Sequence, residues 1–190
     1  MKGVWDRLEE WLARNAPDAR ADLRPGASPQ EMKSIEDLVG AKLPDAFREV
    51  YAVHDGQVGV GPPALINWTL LPAKSIKSEW SLMRDLNARG ALSAPAIAEG
   101  PVRAVWWDVN WIPVAGNGSG DFQCLDLDPP DAGRRGQIIT FSHTDGRRVV
   151  AADSLINWIE ACAVEFESGA YHLKDGEWVS DKGEQTRRNC

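Results

Sequence analysis

Trp106 to Pro130, WWDVNWIPVAGNGSGDFQCLDLDPP, is the stretch that decides the fold. The apolar run Trp111-Ile112-Pro113-Val114-Ala115 reads as a buried or edge strand. Gly116-Asn117-Gly118-Ser119-Gly120 follows, with glycines placed for a turn whose backbone angles are closed to other residues. Phe122 and Cys124 then alternate with Gln123 and Leu125 as in a half-buried strand. Strand, glycine turn and strand predict a β-hairpin. A phosphate cradle is the competing reading of the turn. Neither GxxxxGK[ST] nor a GxGxxG that opens a helix is present, so the tight hairpin is preferred.

Acidic residues gather around the hairpin: Asp108, Asp121, Asp126, Asp128 and Asp131. EF-hand spacing is absent and no histidine lies near Asp126 and Asp128, so no metal is expected. On a continued strand Asp126 and Asp128 would share one face, and a solvated acidic edge is the plain reading.

Outward from the hairpin, helices precede strands and one helix follows them. Val4, Leu8, Trp11 and Leu12 predict a helix from residue 3 to about residue 15. A polar link follows, from Asp18 to Gly26. Ser28-Pro29-Gln30-Glu31 is a capping box with proline at the first helical position, and Gly40 stops that helix. Leu43-Pro44-Asp45 opens a third helix, with Phe47, Val50 and Tyr51 inward. Trp68, Leu70 and Leu71 suggest a short strand. Ile76, Trp80, Met83 and Leu86 mark a fourth helix, and residues 88–101, rich in Gly and Pro, read as a loop. Ile138 to Phe141 and Arg147 to Ala151 form two strands about the Thr144-Asp145-Gly146 turn. Asp153 or Ser154 caps a last helix that Gly169 ends, and Tyr171 to Val179 forms a small hairpin around Asp175-Gly176. This order predicts an α+β fold: an antiparallel-rich mixed sheet with helices packed on one side. The expected division is residues 1–27 as N-terminal helix and linker, 28–169 as the main domain, and 170–190 as terminal hairpin and polar tail.

The chain has 190 residues, 43% of them hydrophobic and 26% charged, with a net charge of −7. That is one soluble domain's worth of chain. The acidity argues against nucleic acid, which needs a basic face, and suits a basic protein partner. No apolar run is long enough to span a bilayer, and the N-terminus lacks a signal peptide's apolar segment. Three cysteines, Cys124, Cys162 and Cys190, have no metal spacing and an odd count, and with cytoplasm as the default location no disulfide is expected.

No HExxH, CxxC or GxSxG motif occurs among the sequence's His54, His143 and His172. A distant pairing of Cys124 with His143 stays open, but catalysis is not expected and no cofactor is implied. Nine tryptophans are the unusual feature, as core or as anchors for a partner. Trp5 and Trp11 lie about 600° apart around their helix, so one of them is expected to reach the surface or a groove. Adjacent Trp106 and Trp107 would face opposite ways on a strand.

Five blocks together resemble the SUKH superfamily, and within it the Smi/Knr branch. They are Leu43-Pro44-Asp45-Ala46-Phe47-Arg48-Glu49-Val50-Tyr51 with His54-Asp55-Gly56-Gln57; Trp68-Thr69-Leu70-Leu71-Pro72; Trp111 to Ala115; Gly120-Asp121 with Cys124 to Pro129; and Gly136-Gln137-Ile138-Ile139. The resemblance spans roughly residues 28 to 166. It implies an α+β fold without a catalytic set, its shared residues being structural. In bacteria it implies an immunity protein that neutralises a cognate toxin or effector, a basic nuclease for instance. In fungi it implies a regulatory scaffold for wall synthesis. The expected partner face is the hairpin edge, carried by Trp107, Asp108, Asp121, Asp126 and Asp128, with the Gly56 to Pro63 loop beside it.

Overall fold

A computed structural model describes residues 2–180. In chain order the elements are α1 (Lys2–Asn15), α2 (Pro17–Ala21), α3 (Pro29–Val39), α4 (Asp45–Tyr51), β1 (Thr69–Leu70), α5 (Ala73–Ala88), β2 (Ile97–Glu99), β3 (Trp111–Gly116), β4 (Phe122–Asp126), β5 (Gln137–Phe141), β6 (Arg147–Ala152), α6 (Leu155–Glu167), β7 (Tyr171–Lys174) and β8 (Glu177–Ser180).

Local chemistry sets the ends of these elements. Ser28 Oγ accepts the Glu31 N–H at 3.2 Å, and the Glu31 carboxylate accepts the Ser28 N–H at 2.7 Å, completing the capping box of α3. Gly40 closes that helix at φ 74°. Ser154 caps α6 by accepting from Asn157 N. The predicted hairpin is β3–β4, antiparallel with Gly116 opposite Phe122. Six strands form one sheet in the order β1-β3-β4-β5-β6-β2, antiparallel except where β2 runs parallel to β6. β7 and β8 form a separate hairpin that turns at Asp175-Gly176, where both residues have positive φ.

The fold is α+β, with the helices packed alongside the sheet. Every residue of β3 and β4 is buried. Side chains alternate along a strand, so both faces of the sheet's centre are covered. On one face, the segment before β3 lays Trp107 edge-on to Phe141 (5.3 Å, 87°) and to Trp111 (5.9 Å, 87°). Trp80 of α5 donates its indole N–H to the Val109 carbonyl at 2.9 Å, fixing that segment to the helix. α6 packs on β5 and β6 and against α1 and α4.

The flanking segments join the same core. Trp5 and Leu8 of α1, Ala19 of α2 and Trp178 of β8 are buried in one cluster with the sheet. Trp11, on the other side of α1 from Trp5, stacks on Phe166 of α6 (4.4 Å, 17°), and Trp178 lies against both rings. The groove that Trp11 reaches is therefore filled by the C-terminal hairpin. Two elements differ from the sequence reading. α2 occupies part of the expected polar link, because Pro17 starts a helix too short for a periodic signal. β2 lies inside the expected loop 88–101. It is three residues long with its ends exposed, so it carries no alternation to read.

The residues that carried the family resemblance hold the frame together. Phe47 and Tyr51 stack at 4.1 Å, and the Tyr51 hydroxyl donates to the Leu71 carbonyl at 2.8 Å. Asp55 accepts the first N–H of α5, from Ala73, at 2.7 Å, placing a carboxylate at the positive end of that helix. Gln57 Oε1 accepts from Ala64 N and Leu70 N.

Candidate functional site: an apolar cleft beside the hairpin turn

The expected partner face does not assemble as one surface. Trp107 is 3% exposed and Asp126 fully buried, so neither can meet a partner. Strand β4 ends at Asp126. Its carboxylate accepts from Asp128 N at 3.1 Å and from Gln137 Nε2 at 3.0 Å. Burial pushes the Asp126 carboxyl above the ordinary aspartate value, only partly offset by those hydrogen bonds. Asp128 lies past the strand end, is exposed, and takes the Arg103 guanidinium at 2.5 Å. Asp108 accepts from both the backbone and the side-chain nitrogen of Asn110, with Arg103 at 3.7 Å. Asp121 sits at the opposite end of β4. The acids form two groups, one at each end of that strand.

The turn end is the better candidate. Gly118 and Gly120 have φ of 76° and 95°, as a tight turn requires. Asn117 Oδ1 accepts from Ser119 N and Asp121 N, locking the turn. Asp121 Oδ1 accepts the His143 N–H at 2.9 Å and lies 2.8 Å from His143 Nδ1, while Oδ2 accepts from Asn117 Nδ2. Burial acts to raise the Asp121 carboxyl, but hydrogen bonds from His143, Asn117 and Ser142 outweigh it and hold it below its ordinary value. The His143 imidazole, held by that carboxylate, forms one rim of a cleft of about 380 Å³ together with Gly120. Phe122 and Phe141 wall it from the sheet, Trp106 from the segment before β3, and Leu82, Met83 and Leu86 from α5. Leu82 is 54% exposed, which is unusual for a large apolar side chain on a packed helix.

Behind the aromatic wall lies Arg148, which is fully buried. Its guanidinium sits 4.6 Å from the Phe141 ring centre and 5.0 Å from that of Trp106. It donates to the Trp106 carbonyl through Nε and Nη2, and to the Asp145 and Arg147 carbonyls through Nη1. Arg148 thereby pins Trp106 in place. The sequence hinted at none of this, because there Arg148 is only the second residue of the predicted strand Arg147 to Ala151.

Catalytic geometry does not appear at this rim. Cys124 is fully buried, burial pushes its thiol well up, and His143 is engaged by Asp121. Among the described residues no group of three His, Cys, Asp or Glu could hold a metal ion, and no helix is long and apolar enough to cross a membrane. The Gly56 to Pro63 loop is tied down by a buried carboxylate. Asp22 accepts from Gly59 N, Val60 N and Gln57 Nε2, while Val58 and Val60 face solvent.

Fold and cleft together define an α+β domain with a preformed apolar recess at one end of its sheet. Comparison with known proteins places it further. Residues 26–161 match the SMI1 / KNR4 family (SUKH-1), and the chain belongs to that family. It is similar to the cell wall biosynthesis/cell cycle regulator smi1 of Schizosaccharomyces pombe, at 29% identity over 97% of this chain and 38% of that protein. It is similar to a glucan synthesis regulatory protein of Neurospora crassa, at 21% identity over 90% of this chain and 39% of that protein. A shorter match, 35% identical, covers 47% of the chain and 19% of human F-box only protein 3. The chain spans under two fifths of the fungal relatives it matches.

Proposed function

We propose that this chain is a non-enzymatic, protein-binding regulatory domain of the kind found in cell-wall-synthesis regulators. The observation that carries this reading is the match to proteins named as regulators along nearly the whole chain. The cleft supports it, because apolar and aromatic groups left half-open on rigid elements are what a protein partner desolvates. The similar stretch within an F-box protein fits a module that lends binding to larger chains. Affinity capture with the tagged chain tests the reading. A saturable protein partner, lost with Leu82→Glu and kept with the surface control Lys33→Glu, is the expected result. Failure to retain any partner above the tag background removes the proposal.

The net charge of −7 supports a second reading, an immunity protein that captures a basic toxin. In that case co-expression would rescue growth from one toxin, and a single tight complex would form with an association rate that falls steeply with salt. Rescue of none of the toxins encoded beside the gene would discard it.

A further inference from the structure

The cleft's chemistry specifies its occupant further, on the premise that the domain binds protein. We propose that it receives an apolar side chain of a partner segment, with a lysine or arginine next in sequence meeting Glu79 at the rim. The walls are Leu82, Met83, Phe122, Phe141 and Trp106, and a volume of about 380 Å³ suits one or two apolar side chains. The deep end rejects a cation. The Arg148 guanidinium lies behind Phe141 and Trp106, is buried, and is bonded to carbonyl oxygens, with no ion pair among the described residues. A second positive charge pushed against those rings would meet it across low-dielectric surroundings.

The rim has the opposite character. Glu79 lines it from α5 and makes no ion pair among the described residues. Two of that helix's three cations are committed elsewhere, and the third, Lys74, is exposed at its first turn. Lys77 donates to Ser34, and Arg84 lies over the Trp80 ring while paired with Asp85. On the far rim His143 is paired with Asp121, which lies outside the lining and is also bonded to Asn117. The chain's excess of acids favours encounter with a basic segment.

The test uses the whole chain, labelled with ¹⁵N, and three Gly/Ser-flanked peptides with a central Phe-Arg, Phe-Glu or Ala-Arg pair. Phe-Arg should shift the Trp106 indole and the Leu82 and His143 amides, and bind about fivefold tighter than either other peptide. Against Phe-Glu that is the upper range for one exposed ion pair, and against Ala-Arg the difference comes from burial of the phenyl ring. Glu79→Gln should abolish the preference for Phe-Arg over Phe-Glu and leave Phe-dependent binding in place. Equal affinity of wild type for Phe-Arg and Phe-Glu overturns the inference. So do shifts that fall outside the cleft, or shifts that follow protein concentration alone, which would show a second copy as the occupant. Should Leu82→Glu release a captured partner while the peptides show no preference, protein binding stands and this inference alone fails.

Discussion

Single residues show how far burial outranks residue type. Asp126 and Asp128 look equivalent in sequence, two acids in an LDLD run. The strand's end separates them: Asp126 is the last residue of β4, which is buried throughout, while the chain leaves the sheet before Asp128. Asp128→Lys should change stability by less than about 1 kcal/mol, losing one exposed pair with Arg103. Asp126→Lys should cost more than about 3 kcal/mol, because it buries an unpaired ammonium and orphans the Gln137 and Asp128 donors. Urea denaturation of both variants checks this, and comparable losses would contradict the placement of Asp126. Two glycines give a similar contrast. Gly118 has φ 76° with open space where a side chain would go, so Gly118→Ala meets only backbone strain, about 1 kcal/mol. Gly56 has φ 68°, and a Cβ there would lie 2.5 Å from Pro72 N and 2.7 Å from the Leu70 carbonyl oxygen. Gly56→Ala should therefore lower the melting temperature several times more than Gly118→Ala, and equal shifts would count against the close approach.

At the scale of elements, local chemistry was legible and long-range coverage was not. The capping box, the glycine turn and the Asp175-Gly176 hairpin all announce themselves in a few adjacent residues. Strand β2 does not, because its reason to exist is the free edge of β6, which is fifty residues away in sequence. The cleft is equally silent, since its walls come from α5, Trp106, β4 and β5 and meet only through the sheet. Tryptophans mislead for the same reason. Seven of the nine are buried and the other two half-buried, and a tryptophan's surroundings are not written beside it. The C-terminal hairpin shows the consequence. Trp178 is 7% exposed, lies on Trp11 and Phe166, and donates to the Pro63 carbonyl at 2.8 Å. Trp178→Ala should cost about 3–5 kcal/mol, the usual loss for a buried aromatic. Trp11 fluorescence should shift to the red as the stack opens. A loss under about 1 kcal/mol would make the hairpin an appendage instead of part of the core.

For the whole molecule, the carboxylates divide by sign, and that division sets how stability follows pH. Glu36 is buried. Burial acts to raise its carboxyl, but the Leu43 N–H at 2.9 Å, Lys42 and Arg48 outweigh that and hold it below its ordinary value. Asp121 is lowered in the same way by its hydrogen bonds. A carboxyl depressed by folding contributes stability above its unfolded value, about 4, and loses it as pH falls through the folded value. Asp126 runs the other way. Its carboxyl is raised, so its contribution is complete below about 4 and is lost as pH climbs through the raised value. Stability should therefore peak on the acidic side of neutrality and fall steeply below about pH 4. The net charge of −7 shrinks over the same range above pH 5, so the wild-type curve alone cannot assign the rise to Asp126. Variants separate the two. Glu36→Gln should be less stable than wild type at pH 7 and approach it at pH 3, flattening the acid limb. Asp126→Asn should flatten the limb between pH 4 and 7 and leave the acid limb alone. Unfolding free energies from urea at each pH decide it. If Asp126→Asn runs parallel to wild type throughout, the buried carboxyl does not govern the upper limb and self-repulsion of the acidic surface does.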